Sequence, residues 1–164
     1  MKNDCTKRYS SKQENSIASY LGWKVVTGSG ARDCHPGDIV SDGWMGECKT
    51  HMSPGHKITF LSSVWHKIAD EASSKFKYPA LFVDDGSQKL DNTWCMFFYK
   101  SVSPSDSQLV DYPYHVSKNI SFDNDRMKSF LRDYSDKNVI LVTKLDDIDV
   151  GVCSLRTFFN MFGD

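Results

Sequence analysis

A chain of 164 residues with 40% apolar and 25% charged side chains has the size of one compact domain around a single buried core, not two. Its 20 Lys+Arg against 21 Asp+Glu exclude the strongly basic surface of a general nucleic-acid binder, so any polyanion must be held by a local patch. No apolar run approaches the roughly 18–20 residues of a bilayer span, and Met1-Lys2-Asn3-Asp4-Cys5 is no hydrophobic leader, which predicts a soluble cytoplasmic protein without a membrane partner.

Five cysteines at 5, 34, 48, 95 and 153 show no Cys-x-x-Cys spacing. Reduced thiols are expected rather than a disulfide framework or a structural zinc site. Charge is uneven: residues 1–60 carry eight Lys+Arg against six Asp+Glu, whereas 101–164 carry seven against ten. The N-terminal half is the better candidate to meet a phosphate backbone.

The pattern predicts a helix over 11–21, with Ile17, Tyr20 and Leu21 on one stripe, a Ser11-x-x-Glu14 capping box at its start and Gly22 at its end. Residues 23–27 read as a short strand and Gly28-Ser29-Gly30-Ala31 as a turn exposing backbone N–H groups. Asp38-Ile39-Val40-Ser41 and Trp44-Met45-Gly46-Glu47-Cys48-Lys49 flank Asp42-Gly43, a strong hairpin signal. A second amphipathic helix follows over 60–76, with Leu61, Val64, Trp65, Ile68, Ala69, Ala72 and Phe76 inward. Residues 78–83 and 94–99 read as buried strands, and the Ser-, Pro- and Asp-rich stretch 101–118 as a loop. A helix over 124–134, a strand over 139–142 and a helix over 154–162 complete the chain. The alternation predicts an α/β fold with a central mixed sheet flanked by helices. The whole chain, 1–164, reads as a single domain.

A tight turn at Asp42-Gly43 sets Ile39 opposite Gly46 and Asp38 opposite Glu47. Cβ atoms of such partners lie about 4.5–5.5 Å apart, where two carboxylates repel unless a cation or a proton lies between them. Strand alternation projects Lys49 from the same face as Glu47. Hard oxygen donors with open water positions suit Mg²⁺ or Mn²⁺, and the Cys48 carbonyl is placed to complete the metal shell. Such a site favours phosphodiester hydrolysis, with Lys49 orienting the attacking water or offsetting charge on phosphorus.

Pro36-Gly37-Asp38 followed by Glu47-Cys48-Lys49 resembles the PD-(D/E)XK nuclease signature, with Gly37 inserted between the proline and the aspartate. The order Glu14, Gly22-Trp23, Val25-Val26, Gly28-Ser29-Gly30, Asp38 and Glu47-Cys48-Lys49 is most similar to the archaeal-type Holliday-junction resolvases of prokaryotes and phages, over about residues 10–85. The resemblance implies a restriction-endonuclease-like catalytic core over residues 10–85, which the strands and helices of 86–164 complete, and metal ligation by Asp38 and Glu47. It also implies water positioning by Lys49, an accessory acid at Glu14 and a phosphate contact at Ser29. Its further implications are a homodimer on branched DNA, a role in recombination or repair, and 5′-phosphate and 3′-hydroxyl products. The near-neutral charge departs from the basic character of junction-binding relatives.

Each residue alone also fits an ordinary role. Glu14 suits the N3 position of a capping box, Asp38 a strand start, Glu47 and Lys49 a solvated hairpin face, and Ser29 a turn. Only the combination points to a site. Arg32 and His51 are further candidates for phosphate contact, whereas Trp44 and Trp65 fit the core. Two other readings stay open: a nuclease of linear duplex or single-stranded DNA, and a catalytically silent DNA-binding or interaction module.

Overall fold

The computed structural model describes residues 2–27, 37–102, 104, 106–134 and 136–163. Helix α1 (Lys2–Leu21) leads into strands β1 (Lys24–Val25), β2 (Ile39–Val40) and β3 (Trp44–Lys49). Strand β4 (Ile58–Phe60), helix α2 (Ser62–Ser74) and strands β5 (Tyr78–Val83) and β6 (Trp94–Phe97) follow. The second half holds α3 (Tyr99–Val102), β7 (Ser107–Asp111), β8 (Ile120–Phe122) and α4 (Asn124–Phe130). It ends with β9 (Asn138–Leu145), β10 (Ile148–Ser154) and α5 (Leu155–Phe162).

Among the described residues eight strands make one sheet in the order β1-β2-β3-β5-β6-β10-β9-β7, and β4 pairs with β8 in a separate ribbon. The β3/β5 and β7/β9 pairs are parallel and the remaining neighbours antiparallel, so the sheet is mixed. The strands of both halves of the chain therefore share one sheet. Among the described residues no helix is long and apolar enough to cross a membrane.

Alternation along the central strands builds two cores. Met45, Leu81, Val83, Trp94 and Met96 pack with Trp65, Ile68 and Ala72 of α2 and with Ile58, Phe60, Ile120 and Phe122 of the ribbon. Trp44, Cys48, Ala80, Phe82, Cys95 and Phe97 face Ile17 and Leu21 of α1 and Phe158 of α5 on the other side. Trp44 and Trp65 are both buried, as their apolar contexts predict. Cys48, Cys95 and Cys153 are buried free thiols.

Several elements depart from the sequence expectation. Helix α1 starts at Lys2, not Ser11, so Ser11 and Glu14 lie inside it and no capping box exists there. Its extra turns are anchored by tertiary contacts: the Tyr9 hydroxyl donates to the Gly86 carbonyl at 2.5 Å. The loop assigned to 101–118 contains a short helix and β7, an edge strand whose half-exposed residues lack a clean alternation. Strand β10 lies where the pattern predicts no element. It is joined to β9 by Asp146 and Asp147, both left-handed at φ 48° and 63°, a turn that lacks the usual glycine. Helix α2 begins at Ser62, which leaves Leu61 exposed before it, and Phe76 lies beyond its end, also exposed rather than in the core. Helix α4 stops at Phe130 and continues as a 3-10 turn over Leu131–Tyr134.

The hairpin register is the expected one, Ile39 opposite Gly46 and Val40 opposite Met45. Neither Asp42 nor Gly43 is left-handed. The turn is held instead by Ser41 N–H to the Trp44 carbonyl at 3.0 Å, by Trp44 N–H to Ser41 Oγ at 3.2 Å, and by Lys77 Nζ on the carbonyls of Ser41 and Asp42 at 2.6 and 2.8 Å. A β-carbon on Gly46 would stand 2.8 Å from Ile39 Cγ1 and 2.9 Å from Phe82 Cε2, whereas one on Gly43 would meet nothing within 4 Å. Overpacking of this kind costs about 1–3 kcal/mol. Urea unfolding should therefore show Gly46→Ala destabilised by that amount and Gly43→Ala nearly unchanged. Equal effects of the two substitutions would contradict the register.

Candidate functional site

Strand β3 brings the site together at its C-terminal end. Glu47 lies on the α2 face of the sheet and is buried at 7% exposure, while Cys48, one residue on, points into the opposite core at 4%. Lys49 returns to the Glu47 face, and its Nζ donates to Glu47 Oε1 at 2.5 Å with the ammonium side chain about half exposed. The Glu47 and Lys49 pairing expected from strand alternation is thus present.

Asp38 differs in detail from the expected ladder partner of Glu47. The paired ladder ends at Ile39; Asp38 N–H donates to the Gly46 carbonyl at 2.8 Å, and Asp38 Oδ2 accepts the Cys48 N–H at 2.8 Å. The carboxylate replaces a backbone acceptor for β3, and this fixes its place beside the Glu47–Cys48 peptide. Gly37, just before it, donates its N–H to Glu71 Oε2 of α2 at 3.2 Å.

Helix α1 supplies the fourth group. Gln13, Ile17 and Leu21 recur at four-residue spacing and are buried, which turns Glu14 along the edge of that stripe toward the end of β3. Burial raises the Glu14 carboxyl from 4.5 to about 7, the Asp38 and Glu47 charges add to the rise, and Lys49 opposes it. For Lys49, burial lowers the ammonium pKa, but the charge and hydrogen bond of Glu47, with Asp38, hold it above its ordinary value. Three carboxyl groups and one ammonium therefore act on one another. Among the described residues they do not already form a chelate of three or more His, Cys, Asp or Glu side chains. The donor set nevertheless fits a hard cation: it is all oxygen, and one ammonium does not balance three carboxylates.

Supporting residues emerge that the sequence reading did not single out. Gln13 Nε2 donates to the Lys49 carbonyl at 2.9 Å, tying α1 to the end of β3. Asp84, fully buried at the end of β5, accepts from Thr50 Oγ1 at 2.6 Å and from Gly86 N–H at 2.8 Å. Burial raises its pKa, the two hydrogen bonds pull the other way and Asp85 adds to the rise. Gln13 Oε1 and Asp84 Oδ2 are buried without a hydrogen-bond partner among the described residues, so this end of the sheet is rich in acceptors. The signal for Gln13 was its place on the Ile17 and Leu21 stripe; Asp84 gave none beyond a turn residue after a strand.

His51 follows Lys49 by two residues and is exposed, stacked on His56 with ring centroids 4.1 Å apart. The proposed phosphate contacts Ser29 and Arg32, with the glycine turn around Ser29, lie outside the described residues. Comparison with protein-family models, curated proteins and solved structures gives no match.

A carboxyl whose pKa is raised on folding keeps its proton in the folded chain after the unfolded chain has lost it. Between pH 4.5 and about 7 folding stability therefore falls as pH rises, and the penalty is fully present above that window. After discounting for partial solvent screening it amounts to roughly 1–2 kcal/mol. Urea unfolding in a chelating buffer should show Glu14→Gln gaining that much over wild type at pH 8 and nothing at pH 4. A pH-independent difference would contradict the assignment.

Proposed function

We propose that the chain is a divalent-metal-dependent DNA endonuclease of the PD-(D/E)XK kind, with a restriction-endonuclease-like core. The observation that carries this reading is the grouping at the end of β3: Glu47 joined to Lys49 at 2.5 Å, Asp38 fixed on the Cys48 N–H at 2.8 Å, and Glu14 within electrostatic reach of all three. A binding module without chemistry has no need of mutually repelling carboxylates at this position. The similarity to junction resolvases supports branched DNA, such as a four-way junction, as substrate and a homodimer as the working form; two-fold symmetry then supplies two sites for paired nicks.

In this reading Asp38 and Glu47 hold Mg²⁺ or Mn²⁺ with the Cys48 carbonyl. The ion, when bound, supplies polarisation of a phosphate oxygen and acidification of water. The side chains do the remaining work. Lys49 Nζ, held by Glu47 Oε1, stands ready to orient the attacking water and to offset charge that grows on the phosphorus oxygens. The Glu14 carboxyl, titrating near neutrality, is suited to take up or release a proton at its own oxygen during turnover. The Cys48 N–H restrains the Asp38 carboxylate, so its direction is set before substrate arrives.

The test is cleavage of a labelled four-way junction and a matched linear duplex with Mg²⁺. Wild type should cut the junction preferentially, chelator should abolish cutting, and Asp38→Asn or Lys49→Ala should lower the rate by about a hundredfold or more. No metal-dependent cutting of any DNA would overturn the reading. Equal cutting of both substrates would remove the branched preference and leave a nuclease of linear DNA.

A further inference from the structure

A cleft of about 450 Å³ opens between the 3-10 turn after α4, the start of β9 and the first turn of α5. Lys128, Arg132, Lys137 and Arg156 line it, and the one acid among its described lining residues is Asp91. Residues 101–164 carry seven Lys+Arg against ten Asp+Glu, so more than half of the cations of an acidic segment gather at one concave surface. Clustered like charges repel one another, and core packing does not require them there. A cleft lined by one sign of charge focuses its field on an incoming ligand of the opposite sign.

These cations are not neutralised by the protein. Among the described residues Arg132, Lys137 and Arg156 are exposed and enter no ion pair, whereas Lys49, Lys67, Lys100 and Lys144 each have an acidic partner. Lys128 is held by a neutral group: its Nζ donates to Asn92 Oδ1 at 2.7 Å, which fixes the ammonium and leaves its charge in place. That acceptor is itself positioned, since Asn124 Nδ2 donates to it at 3.1 Å and Asn124 Oδ1 accepts the Trp94 indole N–H at 2.8 Å.

The cleft shares both the end and the face of the sheet that carry the candidate site. The registers set Lys49 opposite Val83, Val83 opposite Trp94 and Trp94 opposite Ser154. Directly opposed residues project from one face, so Trp94, which lines the cleft, lies on the face of Glu47 and Lys49. Three strand spacings of about 4.8 Å place Ser154, also in the cleft wall, about 14 Å from Lys49. Lys89, on the connection from β5 to β6, lines an adjoining cleft together with Arg156 and so carries positive charge back toward Lys49. Duplex DNA bears one phosphate charge per about 1.7 Å of its axis, so a duplex held at Lys49 presents further phosphates across that whole distance. None of the large exposed apolar side chains lines the cleft, which favours a polyanion over a protein surface.

We propose that the cleft of Lys128, Arg132, Lys137 and Arg156 is a second DNA contact, which grips the phosphate backbone of a duplex arm about 14 Å from the phosphodiester that is cut. This rests on the nuclease reading of Glu14, Asp38, Glu47 and Lys49. It assigns the acidic C-terminal half a part in holding substrate and explains how a chain of near-neutral net charge holds a polyanion. Phosphate contacts position DNA without reading its sequence, so the grip is independent of base composition.

Binding of a labelled duplex and a four-way junction is measured by fluorescence anisotropy over a series of KCl concentrations, with Ca²⁺ in place of Mg²⁺. The proteins are wild type, the triple variant Arg132→Gln/Lys137→Gln/Arg156→Gln, the charge-keeping variant Arg132→Lys/Arg156→Lys, and Lys144→Gln, which removes a cation from the opposite end of β9. Each phosphate contact contributes about 0.9 to the slope of log K against log salt. The triple variant should therefore lower the magnitude of that slope by about 3 and bind both DNAs about tenfold or more weakly at low salt, with an unchanged melting temperature. The charge-keeping variant and Lys144→Gln should match wild type. An unchanged slope in the triple variant would overturn the proposal, and so would an equal fall in Lys144→Gln or a loss that the lysine replacements share. The two readings fail separately. Mg²⁺-dependent cutting with a salt slope indifferent to the cleft sinks the second contact alone, whereas cleft-dependent binding by a wild type that cuts nothing sinks the nuclease and leaves the cleft as a backbone site.

Discussion

The register that sets Ile39 against Gly46 is the constraint on which the site depends. A slip of one residue would exchange the faces of β2 and send Asp38 away from the Glu47 side. Gly46 enforces the pairing from within the sheet, since Ile39 and Phe82 leave no space for a side chain there. Lys77 and Ser41 enforce it from the turn. Two acids distant from each other along the chain are therefore brought to one place by backbone geometry and core packing, before any electrostatic interaction is considered.

That placement is electrostatically unfavourable by itself. Glu47 is buried and joined to one ammonium; Asp38 and Glu14 add two more acidic groups nearby. A single pair of like charges at about 4 Å costs roughly 4 kcal/mol at an effective dielectric of 20. The chain limits the cost in two ways: the Cys48 N–H satisfies Asp38, and Glu14 retains its proton to near neutral pH. A divalent cation would relieve the rest. Packing cannot explain why the acids are there, because apolar residues at 38 and 47 would extend the neighbouring core without repulsion.

The sequence carried the parts of the fold that depend on local pattern. The Asp42-Gly43 hairpin, the Trp65 helix, the 78–83 strand and the Gly22 stop were all legible from alternation, helical spacing and breaker residues, although the hairpin turn does not take the left-handed form that Asp-Gly announces. Asp38, Glu47 and Lys49 were legible as one set for the same reason, whereas Glu14 joined them only through the family resemblance. What escaped depends on distant partners. The first ten residues of α1 have no apolar stripe, and Tyr9 bonded to Gly86 helps to hold them. Strand β7 owes its form to its parallel neighbour β9, and the β9–β10 turn uses two aspartates where glycine would have announced it. Gln13 and Asp84 gained their roles only when α1 and β5 closed on Lys49 and Thr50. Phe76 matched a core stripe by spacing alone, yet the helix ended before reaching it.

The most direct test of the account is a calorimetric titration of the protein with Mn²⁺ near neutral pH. The account predicts saturable binding that releases protons as Glu14 ionises, lost in Asp38→Asn and in Glu47→Gln while both variants keep the wild-type circular-dichroism spectrum. Absence of binding by wild type, or unchanged binding by those two variants, would contradict it.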